Sequence, residues 1–228
     1  MTGAELKHAR LTVRWTQQQA AHRLGVTQAY LSMVERGSRP VSAELTAKVV
    51  EVFQISPTAL PLGPYRFRAL DEKQFKEALG ALAYAGFSYL RGGERMNPAD
   101  LLLQALDSED LDARVAEALP WLPVAFPQMD WVWLTRNAKL HDRQNRLAYV
   151  VHVASQVAER KGDRALAASL ASRVQELERS RLAQEDTLCS ERITKAERRW
   201  LATNRPEAAE HWNLLTNLSV NHLDHAFH

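Results

Sequence analysis

The sequence predicts an all-α protein in two parts, a small five-helix domain followed by a larger helical bundle or short solenoid. Apolar residues recur at helical intervals along nearly the whole chain. Only nine glycines occur, and no hairpin dipeptide separates alternating apolar runs, so a sheet lacks its usual turn signals. Residues 56–64 hold three prolines and a glycine, which a helix does not cross. We therefore place the domain boundary there, between residues 1–64 and 65–228.

The composition is that of an ordinary globular chain. The 228 residues are 46% hydrophobic and 25% charged, which excludes a wholly disordered protein, a collagen-like fibre and a disulfide miniprotein. Charges interrupt every hydrophobic stretch, and the first residues lack the apolar core of a secretory signal. The single cysteine, Cys189, cannot form an internal disulfide. We therefore expect a cytoplasmic protein without a membrane span.

Five short helices are predicted in the first sixty residues. The first carries Leu6, Ala9 and Val13 as an i, i+3, i+7 apolar stripe. A side chain that can cap a helix N-terminus precedes each of the other four, and a glycine follows two of them. The caps are Thr16, Thr27, Ser42 and Ser56, and the glycines are Gly25 and Gly37.

Helices are also predicted through most of the second part. The first of them runs from Asp71 to Arg91, the next begins at Asn97-Pro98, and a further one is capped by Ser108 and ends at Leu119. A Gly162-Asp163 turn joins two amphipathic helices into an antiparallel hairpin. The remaining helices are predicted near residues 130–140, 143–161, 163–182, 190–203 and 206–224.

Two predicted helices, Thr16–Leu24 and Thr27–Arg36, have the features of a helix-turn-helix. Ala21 is small where the two helices cross, and Gly25 tolerates the left-handed conformation that the turn demands. Thr27 fixes the start of the second helix, which can then present its first residues to a DNA major groove. The residues through Leu62 carry seven Lys and Arg against four Asp and Glu, a mildly basic balance that suits a nucleic acid.

Residues 16–60, TQQQAAHRLGVTQAYLSMVERGSRPVSAELTAKVVEVFQISPTAL, resemble the phage-repressor/Cro-like family, often called XRE. The Thr-Gln opening, the Ala-x-x-x-Gly-Val core, the Ser-x-x-Glu-x-Gly end and the helix downstream all fall in register. The resemblance implies a repressor-type domain that binds double-stranded DNA sequence-specifically. It also implies that Glu35 is an internal polar anchor rather than a DNA contact.

The resemblance assigns candidate DNA contacts to both helices. It implies that Gln17, at the start of the first, clamps a phosphate. On the recognition helix, Gln28 can bond an adenine edge and Ala29 can touch a thymine methyl group. Tyr30 and Ser32 can reach bases or phosphates, and two arginines suit the DNA backbone. These arginines are Arg36 and Arg39. Because one short helix reads few base pairs, we expect a homodimer on an inverted-repeat operator.

The sequence offers little support for catalysis or for a bound cofactor. It contains no Gly-rich phosphate loop, paired-carboxylate site, nucleophile elbow or zinc-ligand spacing, so we expect no catalytic residue, metal or cofactor. His222, His225 and His228 recur every three residues, and we interpret them as surface histidines. Arg136 and His141 match the Arg-x4-His pattern of HEPN ribonucleases, which leaves a nuclease as a remote alternative.

Tryptophans cluster in the middle of the second part. Trp121, Trp131 and Trp133 fall close together, and Arg136 follows them. The cluster is either a packing corner between helices or a surface for a partner protein, since Trp and Arg are enriched in binding hot spots.

The second part is also weakly similar, from ALGALAYAGFSYL to DRQNRLAYVVHVA, to antitoxin-regulators encoded beside nucleotidyltransferase toxins of the AbiEii type. The sequence therefore predicts a DNA-binding repressor that is the antitoxin and autoregulator of a toxin–antitoxin system and has a toxin protein as partner. The alternative is a ligand- or phage-responsive repressor without a toxin partner.

Overall fold

The computed structural model describes residues 1–90, 92–190 and 192–223, with only the backbone of His222. His225 and His228 lie outside the described residues. The chain forms two compact units, Met1–Gly63 (unit 1) and Pro64–His228 (unit 2), which divide one residue before the position that the sequence suggests. Helices dominate both units, which confirms the all-α prediction, and the strands among the described residues are two residues long.

Unit 1 consists of five short helical segments around one core. Capping boxes begin the first two helices, and threonine or serine side chains cap the next two. The segments are α1 (Gly3–Thr12), α2 (Gln17–Leu24), α3 (Gln28–Glu35), α4 (Ala43–Val52) and a 3₁₀ turn (Pro57–Ala59). The core contains Leu6, Ala20, Ala21, Leu24, Leu31, Val34, Leu45, Val49 and Phe53. The predicted stripe on α1 is partly wrong, because Val13 lies beyond the helix and is exposed, while Arg10 is buried.

Unit 2 is built around one long central helix that is buried along most of its length and pairs with the next helix as an antiparallel hairpin. The helices are α5 (Glu72–Ala81), α6 (Pro98–Asp107), α7 (Ala113–Ala118), α8 (Trp121–Ala125), α9 (Trp131–Leu140), α10 (Gln144–Arg160), α11 (Arg164–Glu178), α12 (Lys195–Asn204) and α13 (Glu207–His211). The described part of unit 2 also contains two 3₁₀ turns, Ala85–Phe87 and Val220–His222. The strands β1 (Asp186–Thr187) and β2 (Leu214–Leu215) pair in parallel, with Asp186 opposite Leu214.

Three of the predicted helices in this unit have the wrong extent. The helix expected over 71–91 ends at Ala81, because Ala83 adopts a positive φ and the chain turns back onto Gly80. A Cβ on Gly80 would lie 2.5 Å from the Phe87 carbonyl oxygen, so the turn depends on that glycine. Ser108 ends α6 instead of starting the next helix, which Asp112 caps. The helix expected over 206–224 ends at His211 because the chain then enters β2.

Three consecutive polar residues at the start of α10 are buried and hold the surrounding chain. Arg146 is 0% exposed, forms a bidentate ion pair with Asp186 (2.6 and 2.8 Å), and donates to the carbonyls of Leu106 (2.9 Å) and Ser108 (3.0 Å). Asn145 donates to the carbonyls of Leu182 and Trp212 and accepts from the Leu182 N–H. The third residue, Gln144, donates to the Ser180 carbonyl. This start of α10 therefore fixes the end of α6 and the chain from 180 to 186.

Cys189 lies against the same cluster. Its thiol is buried and donates to the Ala105 carbonyl (3.3 Å), and burial raises its pKa to about 11. A thiol in this environment is protonated at neutral pH and serves packing rather than chemistry.

Candidate nucleic-acid interface

The turn between α2 and α3 is fixed by local interactions that the sequence predicts. Gly25 ends α2 in the left-handed conformation (φ 69°), and the Val26 N–H donates to the Ala21 carbonyl (3.0 Å). Thr27 then caps α3, its hydroxyl accepting from the Tyr30 N–H (3.2 Å). Because both ends of the turn are fixed, the direction in which α3 leaves the turn is fixed as well.

The first turn of α3 faces solvent. Gln28 and Ala29 are exposed, whereas Tyr30 is partly buried and packs against the core of unit 1. Ser32 and Met33 are also partly buried. The candidate base contacts on this helix are therefore unequally accessible. Gln28 and Ala29 can reach a groove without rearrangement, while much of the Tyr30 ring stabilises the fold.

The candidate phosphate contacts lie at the ends of the two helices. Arg36 and Arg39, after the end of α3, are exposed, and the Arg36 Nε donates to the Ser32 carbonyl (3.2 Å). Gln17 is the first residue of α2, and its Nε2 donates to Glu35 Oε2 (2.9 Å). A side-chain amide carries two N–H groups, so the second can still serve a phosphate.

A buried ion pair, which the sequence does not predict, joins the helices of the interface. The Arg10 guanidinium donates to both carboxylate oxygens of Glu35 (2.6 and 2.9 Å) and to the Trp15 carbonyl (2.8 Å). Arg10 and Glu35 are 7% and 8% exposed. The pair ties α1 and the α1–α2 turn to the end of α3, and through Gln17 to the start of α2. It confirms that Glu35 is an internal polar anchor.

The electrostatics of the pair favour both charged forms. Burial alone raises the pKa of Glu35, but the hydrogen bonds from Arg10 and Gln17 outweigh it and hold that pKa below its ordinary value. The hydrogen bonds to Glu35 raise the pKa of Arg10. Only one signal in the sequence marks this pair: Arg10 follows Leu6 by four residues, which places a charge on the buried face of α1.

Beside the pair, Trp15 packs against Phe53, with ring centroids 5.1 Å apart. The Arg23 guanidinium lies 4.0 Å from the centroid of the Trp15 ring. Arg23 is exposed on α2 and adds a cation near the helix-turn-helix that the sequence analysis did not assign.

The tryptophans of unit 2 are integrated into its packing. Trp131 is 8% exposed and its indole N–H donates to the Pro127 carbonyl (3.0 Å), which leaves little of its surface for a partner. Trp121 packs edge-on against Tyr84, and Trp133 packs against Tyr65, both partly buried. Of the predicted partner contacts, only Arg136 is exposed.

The residues of the nuclease hypothesis do not form a common site. Arg136 is exposed within α9, whereas His141 follows the end of that helix, with Nδ1 3.7 Å from Asp107 Oδ2. Its ring also packs edge-on against Tyr65. Residues five apart point about 140° away from each other around an α-helix. The arrangement gives the hypothesis no support.

Among the residues that the structure describes, no group of three or more His, Cys, Asp or Glu side chains is placed to hold a metal ion. No helix within the described part of the chain is both long and apolar enough to cross a membrane.

Comparison with known proteins identifies one of the two units. Residues 6–60 match the helix-turn-helix family model, which extends from within α1 to the 3₁₀ turn of unit 1. No curated protein and no solved structure matches the chain. The match, the turn geometry and the exposed start of α3 agree: residues 6–60 are a helix-turn-helix domain of the phage-repressor/Cro-like family, and the protein is a regulator of transcription that binds double-stranded DNA.

Proposed function

We propose that the protein is a sequence-specific repressor that reads its operator with the first turn of α3. The observation that carries this proposal is the capped, exposed start of α3, where Gln28 and Ala29 face solvent on a helix fixed at both ends. Gln28 is the residue suited to read an adenine in the major groove. Arg36, Arg39 and the Gln17 amide contact phosphates around it and set the register.

The repressor acts as a homodimer, with unit 2 supplying the dimer interface. One short recognition helix reads too few base pairs for useful specificity, so two copies are needed. A two-fold dimer places its recognition helices on half-sites about 34 Å apart, one turn of the duplex. The operator is therefore an inverted repeat.

Gln28→Ala is expected to weaken discrimination at one base pair of each half-site by about 1–3 kcal/mol. Gln17→Ala is expected to weaken binding to all duplexes alike, because its contact is with a phosphate. The measurement is the Kd of each variant for the operator and for its single-base-pair substitutions. Gln18→Ala is the matched control, since Gln18 is the exposed neighbour of Gln17 on α2. If Gln28→Ala instead weakens binding to the operator and to all of its base-pair variants equally, Gln28 contacts the DNA backbone rather than a base.

Unit 2 is proposed to dock a toxin protein, which would make this chain an antitoxin that regulates its own operon. Support comes from the size of the unit, which spans residues 64–228 and is far larger than a dimerisation element needs. The exposed side chain of Arg136 on α9, next to the partly buried Trp133, is the candidate contact.

One observation favours a second candidate, a repressor controlled by a small ligand. A cleft of about 650 Å³ opens between α10, α11 and α13, a volume in the range of ligand sites. Its lining combines apolar Val153 and Trp212 with the polar groups of His152, Arg160 and the hydrogen-bonded Glu178–His211 pair.

Co-expression of the full chain with the products of adjacent genes separates the two candidates. For an antitoxin, we expect a stable complex that co-purifies and that changes operator affinity, since the two binding events are linked. Arg136→Glu is expected to disrupt that complex, and Arg114→Glu, an exposed charge on α7, is the control. Absence of a complex, together with a small molecule that shifts operator affinity in the wild type but not in Trp212→Ala, would instead establish the ligand-controlled repressor.

A further inference from the structure

Helix α12 exposes nearly its whole surface. None of its residues is buried, and Trp200 is 54% exposed. Ten residues are too few for a helix to persist alone in water, so local interactions must hold it. A capping box between Thr194 and Glu197 begins it, and Arg205, just after its end, donates to the Leu214 carbonyl (3.3 Å). The structure therefore maintains α12 as a helix without using it to build the core.

The exposed surface of α12 is basic. Lys195 and Arg199 lie four residues apart on one face, and Arg198 lies beside them. Arg198 is 3.5 Å from Glu185, whereas Lys195 and Arg199 form no ion pair with any residue that the structure describes. The acidic residue of the helix, Glu197, is engaged in the cap. Two cations that form no ion pair among the described residues thus share one face of an accessible helix, and the exposed Trp200 follows Arg199 in the chain.

We propose that α12 is a second DNA-binding element, which contacts the phosphate backbone of the duplex that unit 1 binds. Lys195 and Arg199 complement a polyanion, since no carboxylate in the described part of the chain pairs with them. The indole N–H of Trp200 can donate to a phosphate oxygen beside them. Unit 1 and unit 2 are joined at a Pro-Leu-Gly-Pro segment, so unit 2 stays near any duplex that unit 1 has bound, at a high effective concentration. This proposal rests on the proposed function, because DNA binding by unit 1 delivers α12 to its target.

A second copy of this chain is a poorer occupant for the same surface. In a two-fold contact through α12, Lys195 and Arg199 would face the same cations of the other copy, and like charges brought together cost free energy. Phosphates have no such penalty.

The test compares the full chain with its Lys195→Glu/Arg199→Glu variant on a mixed-sequence duplex of about 40 base pairs, with Kd measured over a range of salt. Each phosphate contact contributes about 0.9 to the magnitude of the slope of log K, the association constant, against log salt concentration. For the α12 variant we therefore expect a slope smaller in magnitude by about two and an affinity roughly tenfold lower at low salt. Arg164→Glu/Arg179→Glu, on the exposed face and end of α11, is the matched control and should leave the slope nearer the wild-type value. Circular dichroism checks that each variant is folded.

Several outcomes would overturn the proposal. If the α12 variant keeps the wild-type slope and affinity, or if the control variant loses as much, then α12 does not contact DNA. If Trp200→Ala changes the oligomeric state and leaves the slope unchanged, α12 is a protein-docking helix. If the wild type binds its operator and mixed-sequence DNA equally well, the proposed function is contradicted. A smaller salt dependence of the α12 variant would still show in that case that α12 contacts phosphates.

Discussion

Replacement of Arg10 by alanine is expected to unfold unit 1 and abolish operator binding. The substitution leaves the Glu35 carboxylate buried without its bidentate partner, and breaking a buried pair in this way costs about 3–5 kcal/mol. A domain the size of unit 1 rarely has more than about 3–5 kcal/mol of stability in total. Amide hydrogen exchange, read separately on peptides from the two units, should show protection lost in residues 1–63 alone.

Two controls make this expectation specific. Lys48→Met breaks an exposed pair with Glu44 on α4 and should cost less than about 1 kcal/mol. Arg10→Met combined with Glu35→Leu replaces both charges with apolar groups and should recover most of the lost stability. If Arg10→Ala leaves exchange protection in unit 1 unchanged, the pair does not anchor the interface.

Arg146→Met is expected to have an effect of the same order on unit 2. The substitution keeps much of the aliphatic stem but removes the bidentate partner of Asp186 and one hydrogen bond from each of two buried carbonyls. Breaking a fully buried pair costs about 3–5 kcal/mol, and the partial exposure of Asp186 lowers this figure. The Ser108 carbonyl, left without its donor, adds about 1–3 kcal/mol. We expect amide hydrogen exchange to show a loss of protection across α6, α10 and residues 180–190, while the protection of unit 1 is unchanged.

The matched control for Arg146 is Lys73→Met on α5, which breaks a pair between the exposed Lys73 and the partly buried Glu77. A surface pair of this kind contributes at most about 1 kcal/mol. Asp186→Asn tests the mechanism further, because it keeps the shape of the side chain and removes its charge. If Arg146→Met unfolds no more of the unit than Lys73→Met does, the cluster at the start of α10 is not its structural centre.

The parts of the fold that depend on local signals could be predicted from the sequence. Thr16, Gly25 and Thr27 form hydrogen bonds with residues at most four positions away, so the helix ends that they set can be predicted without a structure. The same holds for the exposed Gln28, which is placed by its distance from the cap. These residues define most of the candidate DNA interface.

The parts that depend on distant contacts could not be predicted. Arg10 and Glu35 are 25 residues apart, and Arg146 and Asp186 are 40 residues apart, so no local spacing identifies either pairing. The spacing from Leu6 places Arg10 on the buried face of α1 but does not identify its partner, and nothing near Arg146 in the sequence marks it as buried. The turn after Ala81 also depends on a distant contact, because Gly80 is required by its approach to the Phe87 carbonyl rather than by its neighbours in the sequence.

The central claim is that unit 1 recognises a DNA operator by its sequence. The most direct measurement is selection of duplexes from a random library by the full chain, followed by the Kd of the selected duplex and of its scrambled counterpart at about 150 mM salt. We expect the selection to yield an inverted repeat with half-site centres about 10 base pairs apart, bound at least about 10³-fold more tightly than the scrambled duplex. Equal affinity for the two duplexes would contradict the claim.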